Sequence, residues 1–122
     1  MKLGEVCLLT TQVIKMADFY RAVLRIDPAG CDIANATHQF IIAEETSLTI
    51  RNCGVDFTMY PHNFGIAFTV DDVDAECARL EGIGIEIISP PTDRPWGARN
   101  MSFADPDGNV VVFRSILEER DE

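Results

Sequence analysis

Pro95 to Arg114 reads PWGARNMSFADPDGNVVVFR, and the fold follows from how this stretch is parsed. Its middle, Asp105-Pro106-Asp107-Gly108-Asn109, is turn chemistry: Pro106 presets its φ, and Gly108 takes φ > 0 without steric cost. Upstream, Arg99 to Ala104 alternates around Met101 and Phe103. Downstream, Val110 to Phe113 is β-branched and aromatic, the composition of a buried strand. The stretch predicts a strand, a tight turn and a second strand. Ser89 to Gly97, just before the hairpin, is proline-rich and reads as a loop.

Further upstream, Ile85 to Ile88 reads as a strand. Val73, Cys77 and Leu80 mark the buried stripe of a helix. Asp71 or Asp72 caps that helix, and its acidic first turn suits the positive end of the dipole. Gly82 and Gly84 supply φ > 0 positions at its other end. Phe64 to Val70 is the strand that enters it. Cys53 to Asn63, with Gly54, Pro61 and His62, reads as a connector.

The first half has the same order. Leu3 to Thr10 is an apolar run with Glu5 inside it, a first strand, and Thr10 and Thr11 can cap the next helix. Met16, Phe19, Tyr20, Val23 and Leu24 line one face of that helix, and Asp27-Pro28 ends it. Pro28 to Ala34 is ambiguous between loop and short strand. His38 to Ala43 and Ser47 to Asn52 are strands around the acidic turn Glu44-Glu45-Thr46. The prediction is an α+β fold: one domain over residues 1–122, made of two units at 1–53 and 64–117. Each unit is strand, helix and three further strands. One such unit alone would be marginal, because so short a chain buries too little surface.

Composition narrows the function. With 47% apolar residues the chain has a real core, and no apolar run is long enough to span a bilayer. The N-terminus has no signal-peptide pattern. Cys7, Cys31, Cys53 and Cys77 are scattered with no CxxC pair, which reads as free thiols in a cytoplasmic protein. A net charge of −10 argues against nucleic acid and against anionic membrane surfaces. It is compatible with attracting a cationic ligand, and equally with mere solubility.

Three motifs in order carry a resemblance: Phe19-Tyr20-Arg21-Ala22-Val23-Leu24, the run Gly65 to Asp74, and Trp96-Gly97 followed by the Asp-Pro-Asp-Gly-Asn turn. Together they resemble the glyoxalase, bleomycin-resistance and extradiol-dioxygenase group, the vicinal oxygen chelate superfamily. The resemblance implies two βαβββ units paired around a ligand cleft, and homodimers. It also implies a divalent metal held from the first and last strands of each unit. Counting from the matched motifs, those positions fall on Glu5, on Ser47 or Leu48, on Gly65 and on Val112. Only Glu5 offers a good donor, so no metal and no cofactor is expected. His38 and His62 have no paired spacing, and no GxSxG elbow marks a nucleophile, so no catalytic residue is assigned.

What remains is binding chemistry. Trp96 offers a π face to a planar or cationic ligand, or packs as a lid on the core. Arg99 and Arg51 could each pair an anionic group, or form surface ion pairs. Arg114 follows Val112 on the same alternation, with the same two readings. Glu5 could neutralise a cation, and Phe40, Thr49 and Met101 are wall or core residues. The expectation is a metal-free binder of a small molecule, drug or metabolite, similar to the bleomycin-resistance branch. The alternative is a lyase or dioxygenase of this superfamily with a displaced metal site.

Overall fold

The computed structural model describes residues 1, 5–26, 38–43, 46–52 and 65–117. The chain divides into two compact units, Met1–Tyr60 and Pro61–Glu122. The first holds β1 (Glu5–Thr10), α1 (Val13–Leu24), β2 (His38–Ala43) and β3 (Thr46–Asn52). The second holds β4 (Gly65–Thr69), α2 (Val73–Gly82), β5 (Ile87–Arg94), β6 (Ala98–Ala104) and β7 (Val110–Ile116). The expected α+β class is what the chain adopts. Pro28 to Ala34, the Glu44-Glu45 turn and the Cys53 to Asn63 connector lie outside the described residues.

Both units wire their sheets the same way. In the first the order is β1-β3-β2, with β1 parallel to β3 and β2 antiparallel to it. In the second the order is β4-β7-β6-β5, with β4 parallel to β7 and the others antiparallel. A parallel first strand needs a crossover, and the helix that follows it supplies one.

Local chemistry sets the helix ends. Asp72 caps α2: its Oδ1 accepts from the Ala75 N–H at 3.1 Å. Gly84 takes φ +90 beyond the helix, while Gly82 is its last helical residue and needs no unusual φ. Helix α1 departs from expectation at both ends. Neither Thr10 nor Thr11 is the N-cap. Gln12 holds that place without a side-chain capping bond to the helix, and Thr10 Oγ1 instead accepts from the Gln12 N–H. The helix stops before Asp27-Pro28, at Arg25 with φ 58, where the Ile26 N–H reaches back to the Arg21 carbonyl at 2.9 Å. That is a Schellman-type end with arginine where glycine is usual.

The second correction concerns residues 89–97. They do not form a loop throughout: β5 runs to Arg94 and carries Pro90 and Pro91 within it. A proline lacks the N–H a central strand needs, but β5 is an edge strand and its pairing shifts register between Ile87 and Thr92. Only Pro95-Trp96-Gly97 turns, with Gly97 at φ 87.

Strand alternation sorts the second sheet into two faces. Met101, Phe103, Val111 and Phe113 are all buried, and so are Val73, Cys77 and Leu80 of α2, which packs on β5, β6 and β7. Phe113 meets Phe103 edge-on at 5.1 Å and Phe68 at 6.1 Å. In the first unit α1 packs on β2 and β3, burying Met16, Ala17, Tyr20 and Val23, with Leu48 and Ile50 buried on β3. Each helix thus takes one face of its own sheet.

Candidate functional site

The hairpin turn is built around Asp105. Its Oδ1 accepts from the Asp107 and Asn109 N–H groups, both at 2.9 Å, and its Oδ2 accepts from Asn109 Nδ2 at 2.8 Å. Gly108, at φ 86, closes the turn onto the Asp105 carbonyl. This fixes the register of β6 on β7, and the register decides which side chains share a face.

On the face turned away from α2, the strands stack in rows. One row is Thr69, Arg114, Asn100 and Thr92, each the register partner of the next across β4, β7, β6 and β5. Arg114 Nε donates to Thr69 Oγ1 at 3.1 Å. Asn100 Oδ1 is buried and accepts from no donor. The next row is Ala67, Val112 and Ser102; beyond it come Gly65, Val110 and Ala104. Beside the polar row, at the Trp96 end of the sheet, Trp96 is 67% exposed, and Ile116 and Leu117 are exposed as well.

Arg99 stands on the other face. It shares parity with Met101 and Phe103, and its guanidinium is taken by two carboxylates. Nε and Nη2 donate to Asp74 of α2 at 2.9 and 3.0 Å, and Nη1 donates to Asp93 at 3.0 Å. Arg99 holds the Asp74 carboxyl below its ordinary range, and the guanidinium is in turn pushed up by both carboxylates. Met101, 1% exposed, is part of the α2-side core.

In the first unit, Glu5, Cys7 and Thr49 share the face turned away from α1. Thr49 Oγ1 donates to Glu5 Oε2 across the β1–β3 pair. Arg51, two residues past Thr49 on β3, is exposed, and Phe40 is the register partner of Thr49. Burial pushes the Cys7 thiol up, Arg51 pulls it down and Glu5 pushes it up again. Cys77 is also pushed up, by burial first and then by Glu81. Both are free cysteines, and neither is a ready thiolate at neutral pH. Of the expected site residues, the fold brings Glu5, Thr49, Arg51 and Phe40 onto one sheet of the first unit. Trp96, Arg99 and Met101 lie in the second unit, with Arg99 and Met101 on its helix side.

The superfamily profile "Glyoxalase/Bleomycin resistance protein/Dioxygenase superfamily" matches residues 2–113. The chain belongs to this superfamily. It is 30% identical over 115 residues to "Anthracycline biosynthesis protein DauV" of Streptomyces sp., a match covering 91% of this chain and 41% of that protein. The chain spans about two fifths or less of the length of the curated relatives it matches. A glyoxalase/bleomycin resistance protein/dioxygenase from Nocardioides has the same fold, with a TM-score of 0.77 at 20% identity over 99% of this chain and 87% of that one. The lactoylglutathione lyase of Agrobacterium tumefaciens is similar at a TM-score of 0.73 and 19% identity, covering 93% of this chain and 92% of that one.

A metal of the superfamily type does not fit the residues present. Gly65 and Val112 carry no donor, Leu48 is buried on the helix side, and Glu5 already accepts from Thr49. Among the described residues no three His, Cys, Asp or Glu side chains converge on one point. Space is not the obstacle at Gly65, where a Cβ would meet only the Val110 carbonyl, at 3.8 Å. What Gly65 and Val112 lack is a donor atom.

Asn100 and Thr69 were not singled out from the sequence. The alternation on both sides of the Asp105 turn would have found Asn100, because it alone fixes Arg99 with Phe103 and Asn100 with Arg114. No helix among the described residues is long and apolar enough to cross a membrane.

Proposed function

We propose that this chain is a metal-free small-molecule binding protein of the glyoxalase/bleomycin resistance/dioxygenase superfamily, working as a cytoplasmic homodimer. One observation carries the reading. The sheet face that should present metal donors instead presents Gly65 and Val112, beside a polar row with unspent hydrogen-bonding capacity at Asn100. Such a face can hold a ligand by shape and hydrogen bonds but cannot polarise it through a bound cation. A relative named for anthracycline biosynthesis puts planar, drug-like molecules among the first ligands to try. Exposed Trp96, the only tryptophan, is the natural reporter of binding.

Sheet edges support the dimer. Strands β4 and β5 each end their sheet, and open edges invite a second chain. Light scattering at micromolar concentration should return twice the chain mass; a monomer mass would contradict it.

Zinc and manganese titrations by calorimetry test the metal-free reading. The protein should take up neither stoichiometrically, while the Gly65→His/Val112→Glu variant, which restores two donors, should gain zinc binding. About one ion per chain in the unaltered protein would overturn the reading. It would place the protein instead with the superfamily's metal-dependent lyases or dioxygenases.

A further inference from the structure

We propose that Thr69, Arg114 and Asn100 form a subsite for the oxyanion, carboxylate or phosphate, of a small organic ligand. The inference rests on the small-molecule reading above and names the chemistry that reading leaves open.

The chain carries 20 acidic and 10 basic side chains, and Arg21 and Arg79 each have a carboxylate within 4.0 Å. Arg99 has two. Arg114 differs. On β4, β6 and β7 it is the only ionisable residue of the face turned away from α2, among Gly65, Ala67, Asn100, Ser102 and Val112. Its Nε–H donates to Thr69 Oγ1, an uncharged partner, and no carboxylate meets either Nη among the described residues. A half-buried guanidinium whose two forward nitrogens have no partner among the described residues is suited to receive a planar or tetrahedral anion in bidentate fashion.

Asn100 points the same way independently. It is the register partner of Arg114, so their Cβ atoms are about 5 Å apart. A buried carbonyl oxygen without a donor costs about 1–3 kcal/mol, and folded chains seldom leave one so. The orientation of an amide is set by what it bonds to. Turned over, the Asn100 side chain puts its Nδ2–H where the oxygen now stands, and an oxyanion on Arg114 is the acceptor that would use it. Thr69 holds the guanidinium in place, which limits the ordering left to binding. The adjacent row of Ala67 and Val112 offers an apolar floor for the organic body.

Phenyl phosphate, benzoate and uncharged benzamide are titrated into the nitrogen-15-labelled chain in EDTA, following the Arg114 Nε–H and Asn100 Nδ2–H resonances. Either anion should move both resonances and benzamide should not; the two anions separate a phosphate from a carboxylate preference. Arg114→Gln should weaken binding at least about tenfold, the loss of one charge-assisted hydrogen bond. Asn100→Asp, which sets a carboxylate beside Arg114, should also weaken it, and an unchanged backbone spectrum will show that each variant folds. The proposal is overturned if the anions move resonances elsewhere or none, or if Arg114→Gln binds as well as the unaltered chain. Benzamide binding on this face as tightly as the anions would overturn it and leave the small-molecule reading standing. Anion binding that appears only when zinc replaces EDTA would overturn both.

Discussion

Arg99 and Arg114 stand on one hairpin, on opposite faces of one sheet. Arg99 lies on the α2 side, where the first turn of the helix brings Asp74 to it and the edge strand brings Asp93. Arg114 lies on the other side, bonded only to a threonine hydroxyl among the described residues. The face under the helix is closed: its apolar groups are packed and its guanidinium is held by two carboxylates. The face away from the helix has Arg114 with no carboxylate on it among the described residues, an orphaned amide oxygen and a floor of small residues. The same residue type is structural on one face and available for recognition on the other, and one step in strand register decides which.

The largest effect should come from the closed face. Phe113→Ala removes a ring packed on Phe68 and Phe103 and should cost about 3–5 kcal/mol in guanidinium unfolding. Its neighbour Val112→Ala, on the half-buried face, should cost about 1 kcal/mol. Similar costs for the two would mean the faces are equally packed, and the comparison would fail.

Next comes the turn that sets the register. Asp105→Ala strips three N–H groups of their acceptor and should cost about 1–3 kcal/mol in the same assay. It should also blur the pairing of Asn100 with Arg114, seen as broadened amide resonances on β6 and β7. A loss no larger than that of an exposed surface substitution would show that the hairpin does not depend on Asp105.

The smallest effect belongs to Arg99→Ala. Its partner Asp74 is exposed, so solvent screens the pair and the loss in melting temperature should be slight. Its sign with pH is still defined. Asp74 has a folded-state pKa below its ordinary 3.8, so the pair stabilises the fold above that pH. The contribution disappears as pH falls through the lower, folded value. The gap in melting temperature between the unaltered chain and Arg99→Ala should therefore be present near neutral pH and close in acid. A gap that widens in acid would contradict the pairing.

Much of this fold was legible in the sequence because its signals are local. The Asp-Pro-Asp-Gly-Asn turn, the Val73-Cys77-Leu80 stripe and the Asp72 cap depend on neighbours a few residues away, and each stands where the pattern put it. Pro90 and Pro91 misled because proline forbids a central strand but not an edge strand, and edge position is a property of the whole sheet. Arg25 ends α1 in the left-handed conformation that is usually glycine's, so the residue type does not announce the stop. The site was harder. Closeness in sequence coupled Arg99 to Trp96, whereas the partner that matters to Arg99 is Asp74, 25 residues away. The absence of metal donors at Gly65 and Val112 could be read residue by residue; the polar row beside them needed the register.

One titration tests the difference between the two arginines most directly. Phenyl phosphate is titrated into the unaltered chain, Arg114→Gln and Arg99→Gln under the same buffer, and the three dissociation constants are compared. Arg114→Gln should bind at least about tenfold more weakly, and Arg99→Gln should match the unaltered chain within about twofold. If Arg99→Gln loses the anion and Arg114→Gln keeps it, recognition lies on the helix side and the assignment of the two faces is wrong.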